Sequence, residues 1–202
     1  MIDLIIVANG KSSRFGKNKL LEKINSQTVI EKTIECFLEN KNFNKIIIVT
    51  NNEIENILKS KFFNIKFLKG GKTRSLSVKK GLQLVDSEFV MVHDGARPFV
   101  NNKLIENLIS SIKQNDAVVP VLKITSCLKR TIGELITQNR DEFVVSQTPQ
   151  LFKASALKKE YKNVDQDWYD DCQAIENKGY KIITIDGDNE NIKITYKSDI
   201  KR

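Results

Sequence analysis

The chain has 202 residues, 40% of them hydrophobic, and a formal net charge of +8. That length fills one well-buried domain and falls short of two large ones. No apolar run approaches a bilayer span, and no basic stretch leads into an apolar core at the N-terminus, so the expectation is a cytoplasmic chain that stays off membranes.

Cys36, Cys127 and Cys172 are odd in number and widely spaced, which argues against a disulfide framework or a zinc site and for free thiols. The positive charge invites a non-catalytic nucleotide- or nucleic-acid-binding module. Lysine, however, is scattered with no long basic block, the pattern of a solvated surface. Arginine is scarce, six against 27 lysines, and where lysine is used so freely an arginine suggests use of its planar fork, which suits phosphate.

In chain order, residues 4–8 are apolar without alternation, as in a strand covered on both faces. The strand empties into a loop in which Asn9, Gly10, Ser12 and Ser13 offer free amides and small side chains, and Lys11, Arg14 and Lys19 offer cations. A polyphosphate needs these parts. A Walker A loop ending at Gly10-Lys11-Ser12 would need glycine where Ile5 stands, and a dinucleotide fingerprint needs three close glycines where only Gly10 and Gly16 occur. Taken alone, the stretch reads equally well as an ordinary turn between strand and helix.

Thr28 and Glu31 form a capping box opening a helix with Ile30, Ile34, Phe37 and Leu38 on one face. Residues 45–50 read as a second buried strand, 52–60 as a short helix and 65–68 as a third strand. Gly70-Gly71 then turns the chain into a helix carrying Val78, Leu82 and Val85. A strand over 88–93, an amphipathic helix marked by Leu104, Ile105, Leu108, Ile109 and Ile112, and a strand over 117–122 follow. Residues 123–147 break the pattern and read as an inserted β-arm. Helical signals resume over 154–160 and 170–178, with strand-like runs at 181–185 and 192–194. Repeated βα units imply an α/β fold, a doubly wound, mostly parallel, Rossmann-like sheet with its ligand crevice at the carboxyl ends of the strands. Asp170, Asp171 and Glu176 are scattered around their predicted helix, which reads as solvated acids rather than a metal cluster.

Four segments follow predicted strands: the 9–19 loop, GGKTRSLSVKKGL at 70–82, HDGARPF at 93–99 and NIKIT at 191–195. In this order, with QTVIEKTI and SQTPQLF, they resemble the cytidylyltransferases that join CTP to a sugar-alcohol phosphate, most closely the 2-C-methyl-D-erythritol 4-phosphate cytidylyltransferase family, from about residue 2 to about residue 200. The resemblance implies one nucleotidyltransferase domain over 1–202, with the 123–147 arm used to form a homodimer. It implies that Ala8, Asn9 and Gly10 line the nucleotide and that Arg14 and Lys19 hold its phosphates. Lys193 would approach the α-phosphate from the opposite side. Gly70, Gly71, Ser77 and Gly95 would contact the nucleotide; Lys72 stands where the family often has an acid, and Gly95 where it usually has alanine.

By the same resemblance Asp94 and Arg97 meet the second substrate. Arg140 reaches across the dimer to the partner's substrate phosphate, and Cys127 stands where threonine is expected, leaving Thr125 or Ser126 to serve. His93 reads as a structural strand-end residue, because a phosphate nucleophile needs no proton shuttle. Arg74 reads equally as a phosphate-facing residue or a surface charge at a helix start. Magnesium would arrive on the CTP phosphates, with no dedicated metal ligands. Ribitol-5-phosphate cytidylyltransferase shares most of these motifs: HDGARP and SVKKGL lean to the methylerythritol acceptor, Asp171-Cys172 and Asn139-Arg140 to ribitol. The chain stops soon after Asp199, where family members commonly continue into another helix.

Overall fold

The computed structural model describes residues 1–10, 15–16, 18–164 and 167–201. Lys11, Ser12, Ser13 and Arg14 therefore lie outside the described residues. A single sheet of eight strands organises the rest: β1 (Ile2–Ala8), β4 (Phe43–Thr50), β5 (Lys66–Lys69), β6 (Phe89–Asp94), β7 (Ala117–Lys123), β10 (Val144–Ser146), β11 (Gln150–Lys153) and β12 (Ile182–Asp186). Its order is β10-β7-β11-β6-β1-β4-β5, with β12 also on β7. β1 pairs parallel with β4 and β6, β4 with β5, and β7 with β12; β11 and β10 run antiparallel to their neighbours. The small pairs β2 (Lys23–Ile24) with β3 (Gln27–Thr28), and β8 (Lys129–Arg130) with β9 (Ile136–Thr137), stand apart.

Both faces of the sheet are covered, which is why its central strands read as continuous apolar runs. Leu4 and Ile6 pack into a cluster with Ile34 and Phe37 of α1 (Val29–Leu38) and Leu104 and Leu108 of α4 (Asn102–Ser111). Ile5, between them, faces Val78 and Leu82 of α3 (Arg74–Leu82) and Leu157 and Tyr161 of α5 (Ala154–Tyr161). Each such fully buried aliphatic side chain contributes about 1.5–3 kcal/mol.

The helices begin where the sequence supplies caps. Thr28 and Glu31 form the capping box of α1, and Asn51, Thr73 and Asn101 accept from the first-turn amides of α2 (Asn52–Lys59), α3 and α4.

Two expectations are corrected, and one strand is unforeseen. Residues 170–178 form only a 3-10 turn at Cys172–Ala174, because Asp170 and Asp171 are drawn into tertiary bonds rather than helical ones. Residues 192–194 form no strand; the segment is held by single bonds such as Ile194 N–H to the Ala96 carbonyl at 2.8 Å. The strand β11 does not show in the sequence, because at four residues it is too short to display a period.

Asp3 is an acid inside this apolar strand, fully buried. Its carboxylate accepts from the amides of Asp86 (2.7 Å) and Ser87 (3.0 Å), the Ser87 hydroxyl (2.9 Å) and the Asn44 amide (3.1 Å). Burial pushes its pKa up, and these bonds more than offset that, leaving it below the ordinary 3.8. A depressed acid contributes stability above its unfolded pKa that disappears as pH falls through the folded value. Asp3→Asn is therefore expected to cost about 2–3 kcal/mol near neutrality. The gap from the parent in thermal melts should narrow below about pH 4; a gap independent of pH would refute the assignment.

Candidate active site

The first wall of the site is a stitched pair of strand ends. The Asn9 side chain, just past β1, donates to the Gly71 carbonyl at 2.8 Å, and the Gly70 amide donates to the Thr50 carbonyl at the end of β4. A Cβ on Gly70 would lie 2.3 Å from Asn9 Cγ, and one on Gly71 2.6 Å from Leu76 Cβ, so both glycines are required by close approach. The Gly71 amide donates to Ser77 Oγ at 3.0 Å, and that hydroxyl donates to the Thr73 carbonyl at 2.8 Å. Buried Ser77 thus ties the glycine turn to the first turn of α3.

The second wall is ionic. Asp94, at the end of β6, takes Arg74 Nε at 3.0 Å on Oδ1 and Lys193 Nζ at 2.7 Å on Oδ2. Burial would raise the Asp94 pKa, but Arg74, then Lys193 and Arg97, hold the carboxyl well below its usual range. Arg74 is neither a phosphate-facing nor a surface charge alone: its side chain is 18% exposed and bridges Asp94 to Asp171, which is fully buried. The expectation of a solvated Asp171 is thereby overturned, its cost of burial being met by the guanidinium. Asp170 likewise accepts from Ser146 and Gln150, while Glu176 is exposed.

The 191–195 segment closes the site from the C-terminal side. Lys19 donates to the Ile194 carbonyl at 2.6 Å, linking the N-terminal loop to it across the whole sequence. Arg97 donates to the Asn191 carbonyl at 2.7 Å, and Asn191 donates to the Thr148 carbonyl at 2.8 Å.

These walls enclose a cleft of about 320 Å³. Of the expected residues it brings together Asn9, Gly10, Lys19, Ser77, Asp94, Gly95 and Lys193. Gly70 and Gly71 stand behind its wall, and Ala8 is buried in the core at 1% exposure rather than lining it. Arg97 shapes the cleft indirectly through Asn191, instead of facing into it. Arg140 and Thr125 meet each other on the arm, the guanidinium bonding the Thr125 carbonyl, and neither lines the cleft of its own chain.

Phe15, Lys72, Thr73, Asp167 and Thr195 also line the cleft. Asp167 is the least legible of these: it accepts from the Ser75 amide (3.0 Å) and hydroxyl (3.1 Å), a pairing 92 residues apart that no local pattern announces. The described lining carries Lys19, Lys72, Arg74 and Lys193 against Asp94 and Asp167, a net positive cleft suited to a polyanion.

His93 is fully buried beside it, with Nε2 3.1 Å from the Arg97 carbonyl, Nδ1 3.3 Å from Thr148 Oγ1, and its ring edge-on to Phe37. A carbonyl requires a donor, so Nε2 carries the proton and Nδ1 accepts from the Thr148 hydroxyl. Burial pushes its pKa down to about 3, in keeping with a structural residue.

The family model described as 2-C-methyl-D-erythritol 4-phosphate cytidylyltransferase matches residues 2–202. A protein of that description from Dictyoglomus thermophilum is 34% identical over 212 residues, covering 97% of this chain and 92% of the relative. Among solved structures, 4-diphosphocytidyl-2C-methyl-D-erythritol synthase from Anaerococcus prevotii superposes with a TM-score of 0.86 at 29% identity, covering 100% of this chain and 93% of that one. The bifunctional IspDF of Campylobacter jejuni superposes with a TM-score of 0.89 at 33% identity over 99% of this chain, which spans about half, 53%, of that longer protein. The chain belongs to the 2-C-methyl-D-erythritol 4-phosphate cytidylyltransferase family.

Proposed function

We propose that this chain joins CTP to 2-C-methyl-D-erythritol 4-phosphate, giving 4-diphosphocytidyl-2-C-methyl-D-erythritol and pyrophosphate, as a step in making isoprenoid precursors. The observation that carries this reading is the convergence of Asn9, Gly10, Ser77, Asp94, Lys19 and Lys193 on one net-positive cleft. An oxygen of the acceptor phosphate attacks the α-phosphorus, a new P–O bond forms, and the bond to the β-phosphate bridging oxygen breaks as pyrophosphate leaves. The nucleophile is already ionised, so the protein's work is positioning and neutralising charge. Lys19, bonded to the Ile194 carbonyl, and Lys193, paired with Asp94, line the same cleft and serve the α-phosphate and its neighbours, with Arg14 from the same loop. Asn9, Gly10, Ser77 and Gly95 hold the nucleoside side, with Gly70 and Gly71 shaping the wall. Asp94 accepts from the acceptor's hydroxyls, and Arg97 fixes the segment that carries Lys193.

Magnesium fits as a guest of the triphosphate. Of the cleft acids, Asp94 is already paired with two cations and Asp167 is bonded to Ser75. Such a site suits a hard cation that would keep its waters and bind chiefly through phosphate oxygens, and that would supply charge neutralisation to the leaving pyrophosphate.

The proposal includes a homodimer formed through the arm. Ile132, Leu135, Ile136, Phe143, Val144 and Val145 are exposed there at 85, 70, 40, 44, 53 and 51%, an apolar surface that a second copy would cover. Arg140 and Thr125 would then serve the partner's cleft. It also includes a cytoplasmic setting; among the described residues no helix is long and apolar enough to cross a membrane.

Pyrophosphate release from CTP and magnesium, with methylerythritol 4-phosphate and ribitol 5-phosphate offered in parallel, tests the reading. At least about tenfold preference for the first, worth about 1.4 kcal/mol, is expected. Preference for ribitol phosphate would move the acceptor, and silence with both would overturn the activity.

A further inference from the structure

The ion cluster continues behind the cleft into residues that no step above uses. Asp171, fully buried, takes both terminal nitrogens of Arg74: Nη1 at 3.0 Å on Oδ1 and Nη2 at 2.7 Å on Oδ2. Its Oδ1 also accepts the hydroxyl of Tyr161 at 2.5 Å. Tyr161 is itself 1% exposed and held edge-on to Trp168, with ring centroids 4.8 Å apart.

A two-point contact fixes the plane and direction of a guanidinium, which a single contact leaves free to swing. With both terminal nitrogens anchored from behind, the remaining Nε–H has one direction, and Asp94 Oδ1 lies on it at 3.0 Å. Asp94 Oδ2 is then left to Lys193 at 2.7 Å. The chain of contacts runs from Tyr161 at the end of α5, through Asp171 just before the 3-10 turn and Arg74 at the start of α3, to the carboxylate at the end of β6. Buried ion pairs stabilise little compared with apolar packing of the same volume, and fixing geometry is the use this one is fitted for.

We propose that Asp171, supported by Tyr161, is a positioning residue for the acceptor: through Arg74 it sets the orientation of Asp94 in the cleft. This rests on the reading of Asp94 as the residue that meets the acceptor hydroxyls. Asp171 touches neither substrate; its effect arrives through the Arg74 fork.

The test is a set of steady-state assays in which CTP and acceptor are varied separately. Misplacing a binding group by about 1 Å costs up to about 100-fold. Asp171→Asn is therefore expected to raise the acceptor KM by about tenfold or more and the CTP KM by less than about threefold. Tyr161→Phe, which removes one hydroxyl and leaves the ion pair, guards against a variant that does not fold; it should move the acceptor KM in the same direction by about three- to fivefold. Because the route runs through Arg74, adding Tyr161→Phe to Arg74→Gln should cost nothing further. Equal shifts in both KM values, a loss confined to melting temperature, or additive effects in the double variant would overturn the positioning role. A silent wild type would overturn it together with the cytidylyltransferase reading, whereas an active wild type with unsplit KM values overturns the positioning alone.

Discussion

Lys193→Ala should lower CTP-dependent pyrophosphate release by about 100- to 1,000-fold while the fold survives. The magnitude is that of removing one fixed donor from a centre where charge develops in the transition state. The fold should survive because the Lys193 side chain is 39% exposed, and Asp94 keeps its bond to Arg74 when the lysine is gone. A partly exposed ion pair contributes about 0–1 kcal/mol, so the melting temperature should fall by no more than about 4 °C in a domain of this size. Circular dichroism and stopped-time pyrophosphate assays on the same preparation check both halves. The outcome also separates catalysis from mere binding: a charge-driven nucleotide or nucleic-acid binder would lose affinity in proportion to one charge, with no chemical step to abolish. Turnover within about threefold of the parent would remove Lys193 from the chemistry.

The parts of this site that were legible in the sequence are those encoded locally. The continuous apolar run at Leu4–Ile6, the cap pair Thr28 and Glu31, and the glycine pair before α3 each carry their own physical signature within a few residues. Family resemblance then placed Lys19, Asp94 and Lys193 in one cleft, which spacing alone does not do, since Lys19 and Ile194 meet across 175 residues. What stayed hidden is the long-range pairing of charges. Arg74 at a helix start reads equally as a phosphate contact or a surface charge, and Asp171 as a solvated acid; only the fold shows that each neutralises the other in the interior. The same reason defeated the expected helix over 170–178: its acids are consumed by Arg74, Ser146 and Gln150, so the backbone settles into one short turn. The missing strand at 192–194 has a different cause. Ile194 is buried where its amide docks on Ala96, with neighbouring Asn191 bonded to Thr148, rather than by joining the sheet, and burial without pairing leaves the same hydrophobic pattern as a strand.

Asp94→Asn breaks the same ion pair from the other side and should behave differently. Lys193 can turn to water when its partner is lost, but Arg74 is 18% exposed and keeps only Asp171. The asparagine can still accept one hydrogen bond on its carbonyl, yet its amide nitrogen must then face a cation donor. Removing one member of a buried pair costs about 3–5 kcal/mol when no water reaches the site, and the cleft edge argues for the lower end. Stability lost near neutrality should therefore be about 3 kcal/mol, several times that expected for Lys193→Ala. Because the folded pKa of Asp94 lies well below its ordinary 3.8, its contribution is present above about pH 4 and fades as pH falls through the folded value, so parent and variant melts should converge in acid. In the assay, an acceptor hydroxyl loses an ionised partner, worth about 1.5–3 kcal/mol, or roughly 10- to 150-fold in kcat/KM for the acceptor. The lost neutralisation leaves Arg74 and Lys193 free to attract phosphate, so CTP affinity should hold or rise. A fall in CTP affinity as large as the fall in acceptor kcat/KM would mean that Asp94 organises the whole cleft rather than the acceptor side.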